Sequence, residues 1–183
     1  MALNSTMYKA ELTISDMDRH YYHEHHLNLA KHPSETDERL MVRILAFALF
    51  ADEALLFGKG IGGEDEPALW RKDMTGEIEL WIEVGLPDER RIRKGCGKSK
   101  HVVVIMYGRN NAAELWWEQN RKELSTRENL SVIQLASEAT EALAGLTDRT
   151  MKLSCTTEAG QVMMMNETVT VAIEPIFLQR AAQ

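Results

Sequence analysis

The stretch that decides the fold is Glu77-Ile78-Glu79-Leu80-Trp81-Ile82-Glu83-Val84-Gly85-Leu86-Pro87-Asp88-Glu89-Arg90-Arg91-Ile92-Arg93-Lys94. Its first half alternates. Ile78, Leu80, Ile82 and Val84 fall on one side, and Glu77, Glu79, Trp81 and Glu83 on the other, which is the period of a β-strand. Gly85-Leu86 closes the strand. Pro87 then stands where a first helical residue has no amide partner to lose, so the spacing predicts a helix from there to about Gly95. A strand running directly into a helix is the start of a crossover unit, so the sheet here is expected to contain parallel strands.

Working outward, His101 to Tyr107 is a continuous apolar run and reads as a buried strand, as does Leu130 to Leu135. Between them, Asn111 to Lys122 reads as a helix carrying Trp116 and Trp117. Ser137 to Leu146 is a further short helix. Upstream, Ser34 is a suitable N-cap with Asp37 three residues on, and a helix is expected from Glu35 to about Asp52 with Met41, Ile44, Leu45 and Ala48 on one stripe. Arg39 and Arg43 point away from that stripe. Leu55 to Gly58 reads as a short strand, Gly58 to Pro67 as a loop, and Pro67 to Lys72 fits either state. At the ends, residues 7–14 and 20–30 alternate around a turn at Ser15-Asp16-Met17-Asp18. Thr150 to Thr157 and Gln161 to Ile173 do so around Glu158-Ala159-Gly160. The expectation is one α+β domain over residues 1–183. It has a mixed central sheet flanked by helices, and a second sheet made from the N- and C-terminal hairpins.

Composition bounds the function. The 183 residues suffice for a core without covalent staples. Cys96 and Cys155 form no ligand spacing and read as reduced thiols. The first residues lack a basic region followed by an apolar stretch, and no apolar run is long enough for a membrane span, so a cytoplasmic protein is expected. A net charge of −7 opposes nonspecific nucleic-acid binding unless a local basic patch exists. Arg90, Arg91, Arg93 and Lys94 form one such patch at a helix start, although Asp88 and Glu89 share it. No G-x-S-x-G, Walker A or GxGxxG sequence is present. His23 and His25 share a strand face, but without cysteines or an HExxH frame they read as an exposed strand.

Two acidic features remain. Glu79 and Glu83 lie on one strand face, but residues four apart on a strand are separated by about 13 Å, so each would need an acid from another element to hold a hard cation. Glu38 lies near the core stripe of the first long helix, where it would cap, pair or ligate. The plain readings are a solvated strand face and favourable placement of acids at a helix start.

His32-Pro33-Ser34-Glu35-Thr36, Glu38-Arg39, Asp65-Glu66-Pro67, the long run Leu80 to Ile92, Asn129-Leu130-Ser131-Val132 and Asp148-Arg149-Thr150-Met151 together resemble the YaeQ family of bacterial proteins. That resemblance implies a variant PD-(D/E)XK nuclease-like fold, with its core over about 34–135 and accessory strands at 5–31 and 149–173. In such nucleases a helix supplies a glutamate, one strand an acid, and the next strand an acid-x-lysine pair. A crossover helix and another strand follow. By this resemblance the helix glutamate is Glu38 or Glu35, the acid of the pair is Glu83 or Glu79, and the remaining acid is Asp73 or Glu79. The implied ligands for Mg²⁺ are Glu38, Glu79 and Glu83. The lysine is missing: neither Glu79-Leu80-Trp81 nor Glu83-Val84-Gly85 contains one, and Lys94 on the following helix is the candidate replacement. Two functions follow as expectations, Mg²⁺-dependent phosphodiester hydrolysis or a non-catalytic binding protein that keeps the fold.

Overall fold

The computed structural model describes residues 4–59 and 65–183. Half of the loop expected at Gly58 to Pro67, residues 60–64, lies outside the described residues. Two sheets and four helices stack in layers.

The outer sheet contains both terminal hairpins, as the alternation at each end predicts. β1 (Thr6–Asp16) pairs antiparallel with β2 (Tyr21–Lys31). β8 (Thr150–Glu158) lies parallel to β1 and antiparallel to β9 (Gln161–Met165), which pairs with β10 (Thr170–Ile173). The sheet order is β10-β9-β8-β1-β2. The sequence reading runs one strand through 161–173; the structure turns in the middle. The Asn166 side chain accepts from the amides of Thr168 and Val169, so the asparagine folds the chain back.

The central sheet has the order β11-β7-β6-β5-β4-β3. β3 (Leu55–Phe57), β4 (Leu69–Lys72) and β5 (Ile78–Val84) form an antiparallel meander, and β5, β6 (Ser99–Met106) and β7 (Leu130–Gln134) run parallel. Within Pro67 to Lys72, residues Leu69–Lys72 are thus strand. β11 (Ile176–Gln179), which the periodicity did not predict, adds to the far edge.

Between the sheets lies α1 (Asp37–Leu49) with α4 (Ser137–Ala144) beside it. α1 begins at Thr36, not Ser34. The Thr36 hydroxyl accepts from the Arg39 amide, whereas the Ser34 hydroxyl is taken up by His32 Nδ1 in the preceding turn. Every residue from Leu40 to Ala48 is buried, because sheets cover the helix on both sides. That geometry overturns the outward placement of Arg43, which is 1 % exposed.

On the other face of the central sheet, α2 (Glu89–Lys98) and α3 (Ala112–Leu124) pack against Trp81, Val102, Val104 and Val132. Asp88 caps α2 through the Arg91 amide, so Pro87 stands outside the helix and its carbonyl accepts from Trp116 Nε1. The helix also runs past Gly95 to Lys98. Gly95 lets the helix approach the sheet closely: a Cβ there would sit 3.0 Å from the Trp81 ring, which would have to shift by a few tenths of an ångström. Cys96 and Cys155 are both free thiols. No helix among the described residues is long and apolar enough to cross a membrane.

Candidate functional site

The acidic face of β5 is not a solvated one. Trp81 is fully buried and Glu83 is 3 % exposed, because α2 covers that side. The alternation also breaks. Arg71 stands opposite Leu80 but Lys72 opposite Ile78, so Glu79 is the extra residue of a bulge. Ile78 therefore joins Trp81 on the α2 side while Leu80 packs toward α1.

Glu83 lies at the carboxyl end of β5. Its Oε1 accepts from Trp81 Nε1 at 2.9 Å and from Arg91 Nε at 2.7 Å. Burial raises its pKa, and the field and hydrogen bonds of Arg91 and Trp81 oppose the rise, with a smaller contribution from Arg39. Arg91 also donates to the Glu66 carbonyl at 2.6 Å, which ties the strand–helix junction to the approach to β4.

Beside it, the start of α1 carries more charge. Glu35 is fully buried and accepts from Arg43 Nε at 2.8 Å, from Arg43 Nη2 at 2.9 Å and from Arg39 Nη1 at 3.0 Å. Glu38 accepts from the Thr140 hydroxyl of α4 at 2.8 Å and lies 3.6 Å from Arg109, which follows β6 and also pairs with Glu141 at 3.1 Å. Tyr107, at the carboxyl end of β6, has its pKa pushed up to about 12 by burial, with Glu38 and Glu35 adding and Arg39 opposing. Glu35, Glu38, Arg39, Tyr107 and the Glu83–Arg91 pair thus gather around the carboxyl ends of β5 and β6. This is where crevices form in sheets with parallel strands.

The other predicted site residues lie elsewhere. Glu79, toward the opposite end of β5, pairs with Arg71 at 3.1 Å, and Arg71 also reaches Asp52 at 3.5 Å. Asp73 caps a turn, accepting from Thr75 and from the Glu77 amide. Lys94 donates to Asp65 at 2.5 Å. Among the described residues, no three His, Cys, Asp or Glu side chains are grouped as a metal site requires. Of the basic patch, Arg91 faces Glu83, Arg93 lies 3.8 Å from Glu89, and Arg90 is exposed. His23 and His25 pack ring to ring at 4.6 Å, and His25 shares a hydrogen bond with the Tyr21 hydroxyl at 2.7 Å.

Sequence reasoning missed the partners of the acids. Arg91 is eight residues from Glu83, and Thr140 is 102 residues from Glu38. Only the first has a sequence signal: a strand acid and a basic residue one turn into the next helix.

The family model for the YaeQ protein matches residues 1–175. The chain belongs to the YaeQ family. The Escherichia coli YaeQ protein is 44 % identical over 168 residues, 91 % of this chain and 92 % of that protein. The crystal structure of the YaeQ protein from Xanthomonas axonopodis pv. citri superposes with a TM-score of 0.92 at 51 % identity, covering 98 % of this chain and 99 % of that one. The YaeQ protein from Pseudomonas syringae gives 0.91 at 31 % identity, over 96 % and 97 %. The YaeQ fold therefore carries this arrangement of two mixed sheets and four helices.

Proposed function

We propose that this YaeQ-family chain is a non-catalytic binding protein built on a nuclease-like core, rather than a magnesium-dependent phosphodiesterase. The core reading draws on element order. α1, β3, β4, β5, α2 and β6 follow the sequence helix, three strands, helix, strand. The loss of chemistry draws on the residues in those places. β4 reads Leu69-Trp70-Arg71-Lys72 and carries no acid. Gly85, with φ +96°, stands where the lysine would follow Glu83.

The observation that carries the reading is the Arg91 Nε–Glu83 Oε1 contact at 2.7 Å. A magnesium ion bound by Glu83 would sit about 2.1 Å from a carboxylate oxygen and would require near-octahedral oxygen donors around it. Here the guanidinium and the Trp81 indole share Oε1 in a buried setting, and a cation on the other oxygen would sit close to the positive charge of Arg91. Glu38 is held by Thr140 and Arg109, and Glu79 lies toward the far end of the strand. The carboxylates among the described residues therefore fit an arginine-bridged network better than a magnesium centre. Lys94, the candidate replacement for the lysine that would position an attacking water, donates to Asp65.

The test is calorimetric titration of Mg²⁺ and Mn²⁺ into the wild type and Glu83→Gln, with hydrolysis assays on single- and double-stranded DNA and RNA. No saturable ion binding and no cleavage is expected. Ion binding that Glu83→Gln abolishes, together with cleavage by the wild type, would establish the hydrolase reading instead.

A further inference from the structure

A groove of about 740 Å³ lies away from Glu83, at the far edge of the central sheet. It is formed by the last turns of α3, the turn after them and the strand segment around β11. Trp117 and Leu178 contribute its apolar lining, and Arg121, Lys122, Arg127 and Arg180 its charge. Glu128 is the acid in the lining. On a chain of net charge −7 this is a local reversal of sign.

The four cations are not equivalent. Arg121 pairs with Glu118 at 3.2 Å, and Arg127 with Glu123 at 2.9 Å and Glu89 at 3.9 Å. Lys122 and Arg180 have no acidic partner among the described residues. The Arg180 guanidinium lies 3.7 Å from the centre of the Phe177 ring, within range of a cation–π attraction. The segment that carries it is pinned: Ala181 N donates to Ser131 Oγ at 2.9 Å and Ala182 N to the Glu128 carbonyl at 2.7 Å.

The helix end is also prepared. The carbonyls at the end of a helix repel anions. Here the last α3 carbonyl, that of Leu124, accepts from Gln179 Nε2 at 2.9 Å, and the same donor lies 3.3 Å from each of the Arg127 and Leu130 carbonyls in the segment that follows.

A half-buried indole beside cations with no acid of their own suits a ligand with a flat ring and a phosphate. An acidic peptide would use the charges but not the indole. In a duplex the base faces are already stacked on one another. We propose that this groove binds single-stranded nucleic acid, one base stacking on Trp117 and the adjoining phosphates meeting Lys122 and Arg180. The inference uses none of the residues around Glu83, so it stands or falls separately from the reading of the carboxylates.

The experiment is fluorescence anisotropy with labelled oligo-U and oligo-dT at low salt. Wild type is expected to bind, with a log–log salt slope of about −1.4 if two phosphates are neutralised on a single strand. The double charge reversal Lys122→Glu with Arg180→Glu should weaken binding at least about tenfold, and Trp117→Leu by about tenfold, while Trp117→Tyr restores most of it. The same charge change at Lys9 and Lys152, exposed on the outer sheet, should leave affinity near wild type. Circular dichroism and thermal melting establish that each variant is folded. Three results overturn the proposal: no binding by wild type, equal loss in the outer-sheet control, or binding that Trp117→Leu leaves intact and a polyglutamate chain competes away. Saturable binding of a free mononucleotide without binding of the strands also overturns it.

Discussion

Glu35 and Glu83 are both buried glutamates answered by arginine, and the difference between them separates structure from site. Glu35 is closed on all sides. Its side chain and that of Arg43 are 0 % and 1 % exposed, Arg43 binds both of its oxygens, and the spare Arg43 hydrogen-bonding capacity goes to the Ala30 carbonyl of β2. This pair joins the outer sheet to α1. Desolvation lowers the Arg43 pKa and Glu35 opposes that, as expected of a charge that persists in the interior only because its partner is there. Glu83 has one guanidinium, and that arginine is 29 % exposed against 4 % for the carboxylate. One side of the pair therefore faces solvent. The first pair is a joint in the fold; the second is a solvent-facing pair at the carboxyl end of β5.

That contrast is most easily broken at Arg43. Arg43→Leu removes two of the three hydrogen bonds to the buried Glu35, leaving Arg39 as its donor, and should cost about 3–5 kcal/mol in urea unfolding, whereas replacing Glu35 and Arg43 together by apolar residues should recover much of the loss. If the single variant costs under about 1 kcal/mol, the joint is not structural. Arg91→Ala should cost less, about 1–2 kcal/mol, because solvent reaches the site and Trp81 still donates to Glu83. Equal costs at Arg43 and Arg91 would erase the distinction between the buried joint and the solvent-facing pair.

A smaller effect sharpens the Glu83 side. Its pKa is raised in the folded state, so between the ordinary value of 4.5 and the raised one the native protein holds more protons than the unfolded chain. Stability contributed by this group is therefore present below 4.5 and falls as pH rises through that interval. Glu83→Gln should flatten this segment of the stability–pH curve; an unchanged fall assigns it to another group. Least of all, Arg71→Ala should change stability by less than about 1 kcal/mol, since both it and Glu79 are partly exposed. A larger loss would make the Glu79 bulge a structural feature in its own right.

The layer order was legible because period and turn chemistry agree along most of the chain. The N-terminal hairpin follows from its alternation and its turn, and the β5–α2 junction from a strand period ending at Gly85-Leu86-Pro87, although the helix starts two residues later than Pro87. Where reading failed, tertiary context had intervened. The bulge at Glu79 moved Ile78 to the face of Trp81, which no strict period of two can show. A sheet on either side of α1 turned Arg43 inward, where a helical wheel places it outside. β11 is only four residues long and follows Pro175, so its sequence carries little strand signal. For the site, Glu38, Glu79 and Glu83 were visible as acids, but what each acid meets depends on Thr140, Arg71, Arg91 and Arg109. Only Arg91 lies on the element directly following that of its acid.

The central claim is that Arg91 and Trp81, and not a metal ion, answer Glu83. The indole N–H of Trp81 reports on it directly. Its proton resonance, assigned by loss in Trp81→Phe, should lie downfield as expected for an N–H donating to a carboxylate. It should stay in place as Mg²⁺ is raised through the millimolar range and move when Arg91 is replaced by alanine. A saturable shift of that resonance with Mg²⁺ in the wild type, absent in Glu83→Gln, would contradict the account.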